Sequence, residues 1–288
     1  MSEYKGIKGF NVQTRTEDPS PTEAQSGDFY YNSSTGQFKV ISEGGAPIGT
    51  WSSGGNTNLK RSTSAGAGVS SSAALLMSGY DGSNPTNAVE QYNGSSWTEV
   101  SEVNTGRSYV RGCGTYTAAL CTGGSPSSGS GNELWNGSGW TEVGDLSRPN
   151  SRSDGGQFGT TAAALAFGGE PVSALTEIWD GTSWTEVNDL NTARFAVTGF
   201  GTTTAGVAAN GREPSVSSSA EDWNGTSWTA SGNLNTARGD ARASGVGPAT
   251  TGIIFSGSTG NHTNTVTNTE SYNGSTWSEV ADLSLARY

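Results

Sequence analysis

The chain has 288 residues, 43 of them glycine, a formal charge of −11 and a pI near 4.5. That acidity excludes DNA or RNA as a ligand, because binding phosphate backbones needs a basic surface. No apolar run reaches membrane-spanning length, and MSEYKGIKGF lacks the apolar stretch of a secretion signal, so synthesis in a cytosol without membrane insertion is expected.

Residues 1–50 follow a pattern of their own. A strand is expected over Gly9 to Gln13, followed by a linker punctuated by Pro19 and Pro21. Asp28 to Asn32 and Gln37 to Ile41 then flank Ser33-Ser34-Thr35-Gly36, which reads as a β-hairpin. A segment this short buries too little surface to be stable alone. It is expected to be an attachment module, with Phe10, Phe29, Tyr30, Tyr31 and Phe38 as its candidate contact residues.

From Trp51 onward, over residues 51–288, the chain repeats. A tryptophan recurs at Trp97, Trp140, Trp184, Trp228 and Trp277, in steps of 43, 44, 44 and 49. A glycine closes an apolar run at Gly79, Gly124, Gly169, Gly211 and Gly257. Glu90, Glu133, Glu177, Glu221 and Glu270 each stand two residues before an aromatic, and Arg61, Arg107, Arg152, Arg194 and Arg238 open the units. Each unit reads as four short antiparallel strands with turn chemistry between them. A period in the forties with four strands predicts an all-β propeller, because one blade cannot bury both faces of its sheet and ringed neighbours can.

Trp51 lies 10 residues before Arg61, as Trp97 lies 10 before Arg107, so it reads as a sixth copy of the fourth strand and its linker. Two closures follow. The ring closes at five blades, one terminal copy completing the last, or the runs at Phe10, Phe29 and Phe38 join Trp51 in a degenerate sixth blade. Five complete sets favour five blades.

The polar residues of the repeat have structural explanations. Asn93-Gly94-Ser95, Asn136-Gly137-Ser138, Asn224-Gly225-Thr226 and Asn273-Gly274-Ser275 match a glycosylation sequon, yet the third unit has Asp180 in the same place. Asp makes the same turn and cannot carry an N-glycan, so the turn is the requirement. The Glu and Arg of every unit are expected to pair inside the scaffold. Cys113 and Cys121 align with Phe158 and Ala166 and are expected to be free, buried thiols, with Cys113 opposite about residue 118. His262 is the sole histidine, and no nucleophile motif, phosphate loop or Cys/His cluster is present, so neither a metal, a cofactor nor catalysis is expected.

Gly168-Gly169, Trp179-Asp180 and Trp184 resemble the landmarks of Kelch repeats, in the same order. MSEYKGIKGFNVQ, then GDFYYNSSTGQFKV, then tandem units such as TAAALAFGG followed by DGTSWTEVNDLNTAR resemble Kelch-like virion proteins of marine tailed phages, including cyanophages. That resemblance implies a non-enzymatic virion protein: a tail appendage, fibre or capsid decoration made in the host cytoplasm. Its N-terminus would dock on other virion proteins or on copies of itself. The alternative is a lectin-like propeller that binds a host-surface glycan or receptor. Tyr80 and Tyr109 are candidates to stack on sugars, and the unequal loops at Tyr80 to Ala88, Ser125 to Gly131 and Ser258 to Val266 favour it.

Overall fold

A computed structural model describes residues 13–16, 29–34, 36–40, 50–126, 129–147, 155–245, 247–260 and 264–286. The chain divides into two compact units, Met1–Trp51 and Ser52–Tyr288. In the first, Gln13–Arg15 pairs in parallel with Phe29–Asn32, which pairs antiparallel with Gln37–Val40. The hairpin forms where its turn residues place it, with Gly36 at φ 71°. The first strand starts at Gln13, so the Gly9 to Gln13 expectation is met only at its last residue. Residues 9–12, Phe10 among them, lie outside the described residues. Phe29, Tyr30 and Phe38 are strand residues, and Tyr31 is half-buried.

The second unit is a five-bladed β-propeller of five four-stranded antiparallel sheets. Blade 1 is Ala65–Ser70, Ala73–Met77, Val89–Tyr92 and Trp97–Val100. Blade 2 is Arg111–Gly114, Ala119–Thr122, Asn132–Trp135 and Trp140–Glu142. Blade 3 is Gly156–Gly159, Ala164–Phe167, Thr176–Trp179 and Trp184–Glu186. Blade 4 is Thr198–Thr202, Ala205–Ala209, Ala220–Trp223 and Trp228–Ala230. Blade 5 is Arg242–Ala243, Gly252–Phe255, Thr269–Tyr272 and Trp277–Glu279. Every blade uses four consecutive strands, so the last is completed by the Trp277 copy.

Strand composition follows radial position. Near the axis both faces of a sheet are covered, and the second strands Ala119–Thr122 and Ala164–Phe167 are buried at every residue. Alanines there alternate with larger side chains such as Leu120, Leu165 and Phe167, all fully buried. At the rim, Trp184-Thr185-Glu186 turns its tryptophan inward and the next two residues outward. Each fourth-strand tryptophan lies directly opposite the aromatic ending the third strand, as in Trp179 with Trp184 and Tyr272 with Trp277. Those ring pairs lie 4.8 to 5.4 Å apart in all five blades. The intervening turn is closed by Asn or Asp: Asp180 Oδ1 accepts the amides of Thr182 and Ser183 at 2.8 Å each, and Asn224 Oδ1 those of Thr226 and Ser227 at 2.9 Å. The sequon-like triplets are therefore turns, as their equivalence to Asp180 predicts.

The glycine that closes each second strand has φ between 99° and 128°. A Cβ at Gly211 would stand 2.9 Å from the Phe195 carbonyl, and one at Gly257 2.7 Å from that of Gly239. Only glycine fits there. The residue before it needs only the ordinary left-handed region, so Ser78, Asn210 and Ser256 replace glycine at φ 55°, 57° and 68°. This asymmetry explains why the second member of the pair persists while the first varies.

The repeated charges form staples within each blade. Arg61 meets Glu90 at 3.1 Å, Arg107 meets Glu133 at 2.8 Å, Arg194 meets Glu221 at 2.9 Å and Arg238 meets Glu270 at 2.7 Å, all buried. Each glutamate also accepts an amide from the linker entering its blade: Asn58 at 2.6 Å, Asn104 at 2.7 Å, Ser147 at 2.8 Å, Asn191 at 2.7 Å and Asn235 at 2.7 Å. Arg152, the expected partner of Glu177, lies outside the described residues.

Trp184, Trp228 and Trp277 are buried, whereas Trp97 and Trp140 are half-buried. Trp51 corrects the expectation of a sixth fourth strand. It opens no strand and is 38% exposed. The physical reason is pairing: each third strand in the ring already holds its own tryptophan strand. What survives of the sixth copy is its linker. Gly55 accepts the indole N–H of Trp97 at 3.1 Å, as Ser101 accepts that of Trp140 at 2.9 Å, and Asn58 completes the staple of blade 1.

Cys113 and Cys121 are free and buried, opposite Leu120 and Gly112. The expected partner near residue 118 is off by two, because the turn from Thr115 to Ala118 is longer than assumed. Burial pushes the Cys113 thiol up to about 12, against a hydrogen bond from Gln157, and the Cys121 thiol to about 11, against the nearby Arg107 charge. Both thiols stay protonated in the fold while the unfolded chain ionises near its ordinary value of about 8.5. Their contribution is fully present below that pH and is lost as pH rises toward 11 and 12. A disulfide-based thiol reagent at pH 8 should therefore react with neither cysteine in the native protein and with both in denaturant. Rapid native reaction at either would contradict the packing.

Candidate functional site

The linkers and the loops between second and third strands meet at one end of the ring. Isolated bridges join Ser62 to Tyr80, Ser108 to Ser125, Phe195 to Arg212 and Gly239 to Ser258. Each ties the residue after an opening arginine to the residue after the conserved-position glycine of the same blade. One residue further on, Thr63, Tyr109, Ala196 and Asp240 have φ of 54°, 56°, 52° and 61°. Left-handed backbone costs a non-glycine residue about 1–2 kcal/mol. It persists only where surrounding contacts fix it, and such positions favour functional sites.

Those four residues stand at the mouth of a cavity of about 470 Å³ on the ring axis, walled by the first strands of all five blades. Each first strand is an edge strand of its sheet. Its outer row of backbone N–H and C=O groups is directed at the axis. Blades 4 and 5 bond across: Asp240 donates its amide to Ala196 at 3.2 Å, and Gly201 to Gly245 at 3.0 Å.

Three charged side chains line the cavity among the described residues: Arg111, Asp240 and Arg242. Arg111 is buried and donates from Nη2 to the Gly168 carbonyl at 2.7 Å, bridging blades 2 and 3. The Asp240 carboxylate is paired with Arg212 at 2.9 Å, whose guanidinium also reaches the Gly260 carbonyl at 2.5 Å. Arg242 is exposed, and its Nη1 folds toward the carbonyls of Asp240 and Ala241 at 3.5 and 3.3 Å. Tyr80 and Tyr109 are 38% and 37% exposed at this end.

The sequence-derived residues divide cleanly. The described Arg and Glu of the repeat lie within the blades, and of the repeat tryptophans Trp97 lines the cavity. The mouth position carries a weak sequence signal: two residues after the opening arginine, a regular repeat shows Thr63, Tyr109, Ala196 and Asp240. A fixed backbone with a changing side chain is how a repeat protein presents a binding surface. Among the described residues no group of three or more His, Cys, Asp or Glu is placed to hold a metal. His262 lies outside them. Comparison with known protein families and with curated proteins finds no match for the chain.

Proposed function

We propose that this chain is a non-enzymatic structural protein of a phage particle, a tail appendage, fibre or capsid decoration of Kelch-like type. Its N-terminal segment docks and its propeller is the exposed body for interaction. The observation that carries this reading is where the repeated polar residues go. Each described Arg–Glu staple is buried and bonded to its own blade, so the repeat supplies a scaffold rather than five equal reactive centres. The resemblance of the N-terminal and blade sequences to marine phage virion proteins is what suggests the virion as its place.

The docking role rests on the first unit. Its three-stranded sheet ends in two edge strands, Gln13–Arg15 and Gln37–Val40. An edge accepts a strand from another chain. Deleting residues 1–45 removes this unit's strands and keeps Asn58 and Arg61, which complete blade 1. The truncated protein should stay folded, with an unchanged β spectrum, and should no longer join the particle or oligomer. Normal assembly would remove the docking role, and hydrolysis of polysaccharide by the intact chain would remove the non-enzymatic one.

A second reading, a carbohydrate- or receptor-binding propeller, is favoured by Tyr80 and Tyr109, exposed at the same end of the ring as the cavity mouth. Saturable binding on a glycan array, lost in a Tyr80→Ala, Tyr109→Ala double variant, would select it.

A further inference from the structure

We propose that the axial cavity binds one carboxylated sugar, such as a uronic acid residue, with its ring in the channel and its carboxylate at Arg242. This rests on the carbohydrate reading and assigns its site. Three observations converge on it.

The first is size. A volume of about 470 Å³ falls within the range of small-ligand pockets. It exceeds what one or two waters need.

The second is the wall. The first strands are sheet edges and present alternating backbone donors and acceptors along the channel. A sugar carries hydroxyls that both donate and accept, so it answers such a wall better than an aliphatic chain, which offers the edge groups no partner. Tyr109 at the mouth adds an aromatic face, held in a left-handed backbone conformation at φ 56°.

The third is charge. The chain carries 26 Asp and Glu against 15 Lys and Arg, whereas the described residues lining the cavity hold two arginines and one carboxylate. Its one carboxylate among the described residues, Asp240, is matched by Arg212 at 2.9 Å. Arg111 is buried against the Gly168 carbonyl, which leaves Arg242 as the exposed cation of the lining among the described residues. Its guanidinium makes long contacts to the carbonyls of the two preceding residues, Asp240 and Ala241. A carboxylate would replace these with a charge-assisted pair.

The test is calorimetric titration of the full chain with D-glucuronate, with D-glucose and acetate in parallel. Glucuronate should saturate one site per chain with a Kd near about 1 mM, the affinity expected for a small ligand. Glucose should bind about tenfold more weakly for want of the charged contact, and acetate should not saturate. Arg242→Gln, a change at an exposed residue, should bring glucuronate to the level of glucose with the circular dichroism spectrum unchanged. Absence of saturation, equal binding of acetate, or an unaffected Arg242→Gln variant would each overturn the proposal. Glycan-array binding that survives Arg242→Gln and is not displaced by glucuronate would overturn it too, while leaving the carbohydrate reading in place on the outer loops.

Discussion

Replacing Arg194 with leucine should destabilise the propeller by about 3–5 kcal/mol, because it strands the Glu221 carboxylate in a dry interior. The arginine is fully buried, with Nη2 on Glu221 at 2.9 Å and Nη1 on the carbonyls of Asn210 and Ser219 at 3.1 and 2.7 Å. Three acceptors lose their donor at once. Burial already holds the guanidinium below its ordinary value despite the pull of Glu221, so the native pair is itself costly to form. The double variant Arg194→Leu, Glu221→Leu should therefore recover part of the loss by removing the stranded charge. It cannot recover all of it, since the Asn191 amide, 2.7 Å from Glu221, would then lose its acceptor at about 1–3 kcal/mol. Urea unfolding of the two variants checks the order: a double variant less stable than Arg194→Leu alone would show that the staple is not a coupled pair.

Trp228→Ala should cost a similar amount, about 3–5 kcal/mol, by opening a cavity at the joint between blades 3 and 4. The indole is buried, edge-on to Phe167 at 5.1 Å, tilted against Trp223 at 5.2 Å, and donates its N–H to Thr176 Oγ1 at 3.1 Å. For a domain of this size the melting temperature should fall by roughly 10 °C. Trp97→Ala removes the same side chain from a half-buried site and should cost clearly less. Equal losses at the two positions would mean that the tryptophans are interchangeable, which their surroundings deny.

Most of the propeller is legible in the sequence because its constraints are local and recur. Asp180 marks a turn by closing it with its own side chain, Gly211 marks a backbone no other residue can adopt, and Trp184 marks the strand that starts after the turn. Glu221 was readable as a scaffold residue from its recurrence alone. The failures are of a different kind. Trp51 repeats the local signal of a fourth strand without a third strand to pair with, and pairing is settled far away in the chain. The register of Cys113 depended on how tightly Thr115 to Ala118 turns. The cavity was invisible because its wall is mostly backbone, which leaves no residue type behind, and its mouth is marked by variation rather than by recurrence.

The four apolar clusters of the ring sit at four joints. One joins blade 1 to 2 through Met77, Val103 and Trp135, and the next joins 2 to 3 through Leu120 and Trp184. The others join 3 to 4 through Phe167 and Trp228, and 4 to 5 through Phe200 and Trp277. Among the described residues no such cluster spans blades 5 and 1, where Trp97, Leu76 and Phe255 line the cavity instead. A ring with one weak joint behaves as a clasped bracelet. Under load it opens at the clasp, so tension across the propeller should separate blade 5 from blade 1 before any blade unravels. The same joint is where a duplicated unit could be spliced in at least loss of packing, which makes blade number the easiest property of this architecture for evolution to change.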